Sequence, residues 1–120
     1  MAEEERVRLG ITAQMRACIE ATSACYNACT ETLNYTLDGG GHLADEHLLR
    51  ALIDSAEVLQ ACQNALLRTS DVATMLAAVC VEVCEKVSEN CKRIDGSDDQ
   101  LAECAEACDY TADCCRQLAF

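Results

Sequence analysis

Cysteine is the residue type in this chain with chemistry to offer. Eleven occur among 120 residues. Six of them form three i,i+4 pairs: Cys25 with Cys29, Cys80 with Cys84, and Cys104 with Cys108. On a helix, residues at that spacing share one face with Cβ atoms about 5–6 Å apart. A disulfide needs a Cβ separation of about 3.5–4.5 Å, so these pairs should stay unbridged in a regular helix. Two sulfurs held slightly apart can instead grip one soft metal ion. Thiolates select copper(I), zinc or iron–sulfur clusters. Copper(I) accepts two or three sulfurs and can be shared along a cysteine-lined channel. Zinc favours a closed four-ligand site built from short loop motifs. Iron–sulfur clusters favour compact loop spacings that this sequence lacks. Copper(I), several ions per chain, is therefore the expected cargo, with zinc and iron–sulfur clusters the poorer fits.

The elements that must position these thiols are helices. Proline is absent, aromatics are 3% of the chain, and alanine, leucine, glutamate and cysteine are abundant, a composition that favours helix. Breaks fall at Asp38-Gly39-Gly40-Gly41-His42, at Thr69-Ser70-Asp71 and at Ile94-Asp95-Gly96-Ser97. Ser70 is a candidate helix cap, and Ser97 with Gln100 fits a capping box. Helices are expected near 3–37, 45–69, 71–93 and 98–119. Short connections make them antiparallel. The expected fold is an all-α, up-down four-helix bundle, one domain over residues 1–120. Residues before Gly10 form an N-terminal helical extension, either an overhang or a separate short helix.

Each stretch carries a three–four spacing of apolar or small residues, the mark of a bundle seam. The four seams read Ile11, Met15, Cys18, Thr22, Cys25, Cys29; Leu48, Leu52, Ser55, Leu59, Cys62, Leu66; Leu76, Cys80, Cys84, Val87, Cys91, Ile94; and Leu101, Cys104, Cys108, Thr111, Cys115, Leu118. Ten of the eleven cysteines fall on them, and Cys114 lies beside one. A seam takes about two positions in seven, so chance would place about three there. Cysteine is often buried as a small hydrophobe, but packing alone accounts poorly for ten. All eleven, Cys18, Cys25, Cys29, Cys62, Cys80, Cys84, Cys91, Cys104, Cys108, Cys114 and Cys115, are candidate metal ligands.

Helical rise of about 1.5 Å per residue places the thiols in height. Cys29, Cys84, Cys104 and Cys108 fall in a middle band, with Cys25 and Cys80 just beyond it on the side away from the 38–44 loop. Cys18, Cys62, Cys114 and Cys115 gather near the far end. Cys91 stands alone near the loop end. Two thiol clusters are expected, not one even tube.

The formal net charge of −12 excludes nucleic acid, whose phosphates a partner must neutralise, and disfavours an anionic membrane surface. No apolar run is long enough to span a bilayer, and the opening MAEEERVRLG has no apolar signal core. The expected compartment is the cytoplasm, where thiols stay reduced. No phosphate loop, His-Glu hydrolase helix or Glu-x-x-His di-iron motif occurs, so no enzymatic activity is expected.

Other soft or basic groups carry less. His42 and His47 could ligate, but a histidine following three glycines is more simply solvated. Met15 and Met75 could guide copper(I) at a channel mouth, although core filling is the simpler role. Cys114 and Cys115 point about 100° apart on a helix; Cys115 should face inward and Cys114 a neighbouring helix, an oligomer contact or solvent. Glu103, Glu106 and Asp109 read as a solvated face. Two other functions fit the same residues: a structural or partner-binding bundle, which could form a homo-oligomer, and a thiol redox sensor.

The segments CIEATSACYNAC, CVEVCEKVSENC and CAEACDYTADCC, in that order, resemble the cysteine-rich four-helix-bundle copper-binding proteins, including the cytosolic copper storage proteins. The resemblance covers most of the chain from about Cys18 onward. It implies copper(I) sequestration or storage in the cytosol by the matching cysteines. Thr22, Ser55, Leu59, Val87 and Thr111 occupy seam positions where richly loaded members carry cysteine. The histidine that such members often place between the third and fourth helices is replaced by IDGSDDQ. The chain resembles a cysteine-depleted member, with a lower expected capacity.

Overall fold

The computed structural model describes residues 10–119. Four α-helices follow in order: α1 (Ala13–Gly39), α2 (Glu46–Leu67), α3 (Ala73–Asp95) and α4 (Asp99–Ala119), with a 3-10 turn at Gly41–Leu43. Each helix packs on two neighbours, α1 against α2 and α4, and α3 against α2 and α4. That ring, with short connections, is the antiparallel up-down four-helix bundle. No strand occurs among the described residues.

Local chemistry sets the boundaries. The first described helix starts at Ala13. Gly10 adopts φ +79°, outside the helical region, and Thr12 then caps α1 by accepting from the Met15 N–H at 3.1 Å. The expected extension over residues 3–9 lies outside the described residues. At the other end Gly40, at φ +59°, donates its N–H to the Thr36 carbonyl and closes the helix. Asp45 caps α2 through the Leu48 N–H at 3.0 Å. The end of α2 closes on the Ser70 N–H, which reaches the Ala65 carbonyl, with Thr69 in the left-handed region at φ 51°.

Two of the expected caps shift. Ser70 accepts from the Val72 N–H, forming a turn ahead of α3, which begins at Ala73 and not at 71. At α4 the cap is Asp98, whose Oδ1 accepts from the Leu101 N–H at 2.9 Å. Ser97 instead donates to Asp95 Oδ1, and the Gln100 amide donates to Thr32 Oγ1. A carboxylate one residue nearer the helix displaces the serine because it accepts more strongly.

The core runs the length of the bundle. Leu48, Leu52, Leu59, Leu66, Val87 and Leu101 are fully enclosed, and ten cysteines fill the space between them. Met15, Leu76, Ile94 and Leu118 pack half-buried at the rims. Met75 departs from its expected core-filling role: it is 66% exposed, because the α3 seam passes through Ala73, Ala77 and Cys80 and leaves residue 75 on the outer face. No described helix is long and apolar enough to cross a membrane.

Candidate metal centre

Helical periodicity turns the seam thiols inward. Cys18, Cys25, Cys29, Cys62, Cys80, Cys84, Cys91, Cys104, Cys108 and Cys115 are all buried, and none is in a disulfide. Cys114 alone is half-buried. It stands beside the Tyr110 phenol and raises that group's pKa by its hydrogen bond and its charge. The consecutive cysteines thus part company, as the 100° step requires.

The middle of the bundle holds two thiol triads with a shared member. Cys25, Cys84 and Cys108 bring their sulfurs within 4.8 Å of one another, and so do Cys29, Cys104 and Cys108. The Cys108 sulfur lies 3.6 Å from that of Cys25 and 3.9 Å from that of Cys29. Cys91 lies close to Cys104, which together with burial pushes its thiol up, so it has a neighbour in this group and is not isolated at the loop end. Its height is about two helical turns above Cys84, but α4 supplies Cys104 at that level.

A second group lies toward the far end. Cys18 and Cys115 hold their sulfurs 3.3 Å apart. Cys62 and Cys80 lie close to Cys115 and, after Cys18, push its thiol up, and the Cys80 thiol also reaches the Val58 carbonyl at 3.9 Å. Cys25 therefore belongs to the middle and Cys80 to the far end, which divides the Cys80–Cys84 pair between two groups. Height alone could not assign them, because lateral position on the helix face decides which sulfurs meet.

The thiols tune one another. Hydrogen bonds from Cys108 and Cys25 pull the Cys84 thiol down to about 6, against the cost of burial. Cys104 is held far below the ordinary thiol range by Cys108, Cys29 and Cys91. Cys62 is lowered likewise by Cys115, Cys18 and Cys80. The donors rise in return. Cys108 is pushed up by Cys104 and its other partners, Cys115 by Cys18 and its partners, and Cys91 by Cys104. Cys104 likewise drives Cys29 upward. Cys115 lowers Cys18, but Cys62 and burial prevail and push it up to about 12. Each group thus has a sulfur at which negative charge is best stabilised, ringed by S–H donors. A soft cation can displace those shared protons and take the sulfurs as ligands.

Oxygen groups interleave with the thiols. Ser55 donates to the Cys29 sulfur at 3.4 Å, and Thr32 lies beside Cys104 and helps to lower it. Thr32 and Thr36, both fully buried, extend the first seam toward the loop end. Their three–four continuation from Cys29 was the available signal. Among the described residues, every three-ligand group consists of cysteines. His42 and His47 are exposed; His42 Nε2 sits 3.6 Å from Asp95 Oδ2 at the bundle end. Glu103, Glu106 and Asp109 are exposed, and Asp109 pairs with Lys92 at 3.1 Å.

Known proteins share this fold. A protein of Nitrosospira multiformis superposes with a TM-score of 0.80 at 30% identity, over 88% of this chain and 94% of its own. The Cu(I)-bound copper storage protein BsCsp3 superposes at 0.83 with 26% identity, over 89% of this chain and 99% of its own. A copper storage protein from Streptomyces lividans, loaded with 10 copper equivalents, superposes at 0.81 with 29% identity, over 88% of this chain and 83% of its own. No curated protein matches the chain. The copper storage protein family matches residues 11–120. With nearly the whole bundle and its thiol-lined core inside that match, the chain belongs to the copper storage protein family.

Proposed function

We propose that this chain stores copper(I) in the cytosol, holding several ions through thiolates of Cys18, Cys25, Cys29, Cys62, Cys80, Cys84, Cys91, Cys104, Cys108 and Cys115. The observation that carries the reading is the pair of sulfur triads sharing Cys108. A thiolate has more than one lone pair and can bridge two ions, so a shared sulfur favours a cluster over isolated sites. The copper loads of related bundles, 10 equivalents and five in proteins of Streptomyces lividans, support multiple occupancy. Cys114 takes a peripheral part because it alone of the eleven is half-buried, beside the exposed Tyr110. The role is storage and not catalysis, in keeping with a family of storage proteins. The net charge of −12 suits a cation store and disfavours a nucleic-acid partner.

Anaerobic copper(I) titration of the reduced chain, in competition with a strong copper(I) chelator, tests this. Several equivalents held tightly are expected. One equivalent or fewer would leave the thiols as core packing. A redox-sensing role would show instead as rapid disulfide formation under mild oxidant, read by counting thiols under native and denaturing conditions.

A further inference from the structure

Between the two thiol groups lies a layer to which three of the four helices contribute no sulfur. Thr22, Leu59 and Thr111 occupy the seams of α1, α2 and α4 there, each no more than 1% exposed. The threonine hydroxyls are committed to backbone. Thr22 donates to the Cys18 carbonyl at 2.8 Å, and Thr111 to the Ala107 carbonyl at 2.8 Å. Thr111 also reaches the Ala21 carbonyl across the α1–α4 contact at 3.3 Å, which puts both threonines at one level. Leu59 lies on α2 between Cys62 of the far-end group and Ser55, the partner of Cys29. None of the three offers a soft donor.

Distance makes the layer a barrier. Two metal–thiolate bonds of about 2.3 Å hold their sulfurs no more than about 4.6 Å apart. On α1 the thiols either side of Thr22 are Cys18 and Cys25. On α4 those either side of Thr111 are Cys108 and Cys115. Each pair is separated by about 10 Å of helical rise. Only α3 passes a thiol on each side at closer spacing, Cys80 and Cys84, about 6 Å of rise apart, and there the two sulfurs turn to different partners, Cys80 to Cys115 and Cys84 to Cys108.

We propose that the core is two copper(I) stores in series, insulated by the Thr22–Leu59–Thr111 layer. The middle store comprises Cys25, Cys29, Cys84, Cys91, Cys104 and Cys108. The far-end store comprises Cys18, Cys62, Cys80 and Cys115. The inference rests on the copper-storage reading and adds that the stores fill independently. In each, a thiol S–H bond breaks, an S–Cu bond forms and the proton leaves to solvent, with no change of oxidation state at sulfur or copper.

The test is anaerobic copper(I) titration with chelator competition on three proteins: wild type, the far-end variant C18S/C62S/C115S, and the layer variant T22C/T111C. Circular dichroism checks that each is folded. The far-end variant should lose capacity while its remaining copper keeps its affinity within about twofold, as separate sites do. The layer variant, with cysteines in place of two threonines of similar overall volume, should bind more copper than wild type. A fall of about tenfold in the affinity of the copper left in the far-end variant, ~1.4 kcal/mol of coupling, overturns the independence of the stores. Unchanged capacity in T22C/T111C overturns the insulating role of the layer. Either result with a wild type that holds several ions leaves the storage reading standing. A wild type holding one ion or none takes both readings down.

Discussion

Cys25 and Cys108 stand 83 residues apart in the chain and hold their sulfurs 3.6 Å apart in the core. Cys108 also meets Cys29 at 3.9 Å and so belongs to both triads of the middle group. Removing it takes a ligand from each at once. C108A should therefore lose more copper than C91A, whose thiol lies outside both triads. The C104A/C108A pair should lose part of the capacity and keep its helicity. Each truncation costs about 1–2 kcal/mol of apo stability, as small core deletions do. Titration and urea melts measure the two effects separately.

Thiol ionisation couples stability to pH. Cys18, Cys29, Cys80, Cys91, Cys108 and Cys115 are raised above the ordinary value of 9.0 by their neighbours and burial. The unfolded chain sheds these protons near 9.0 while the folded chain keeps them, so their stabilisation is complete below that pH and is lost above it. Cys62, Cys84 and Cys104 act in the opposite sense, their contribution fading as pH falls from 9.0, at Cys84 toward about 6. The six outweigh the three under alkaline conditions. The urea midpoint of the apo protein should fall between about pH 8 and about pH 10. The copper-loaded protein has exchanged its thiol protons for metal and should show a smaller fall. Conversely, copper affinity should weaken as acid competes for the sulfurs.

Accessibility separates one thiol from the other ten. Cys114 is half-buried, and the rest are enclosed. Brief alkylation of the native apo protein should label Cys114 first, with the seam thiols following only as the bundle opens. Peptide mapping after a short pulse measures the order, and prompt labelling of Cys25, Cys29 or Cys108 would contradict the enclosed core.

At the start of α4, Asp98 and not Ser97 holds the helix. Asp98 accepts from the Leu101 N–H and also receives the Tyr35 hydroxyl at 2.6 Å. D98A should cost about 1 kcal/mol by loss of the cap. S97A should cost clearly less, because the Ser97 hydroxyl bonds only to Asp95 in solvent. Comparing the two by thermal melting tests the assignment.

Ser88 presents the reverse case. Its hydroxyl oxygen is buried on α3 without a hydrogen-bond partner. An enclosed and unsatisfied polar group is a net cost. S88A should raise apo stability by about 1 kcal/mol and leave copper capacity unchanged. A loss of stability would mean that the hydroxyl is satisfied in solution.

The sequence by itself determined that this is a helical bundle with an inward row of thiols. Those features rest on local periodicity: a residue on the three–four spacing faces the core whatever its neighbours are. That rule placed Cys18, Cys84 and Cys115 inside and set Cys114 apart. The resemblance carried by CAEACDYTADCC pointed to the family that the whole bundle then matched. The tertiary structure decided which sulfurs meet. Cys80 and Cys84 share one helix face and yet serve different groups, because Cys115 approaches the first and Cys108 the second. Cys91 has company because α4 brings Cys104 to its level. The caps at Ser70 and Ser97 likewise gave way to competing donors and acceptors that a window of a few residues does not weigh. Rise along an axis is a property of one helix, whereas a metal site is a meeting of several, and its membership is fixed only by how those helices are rotated against each other.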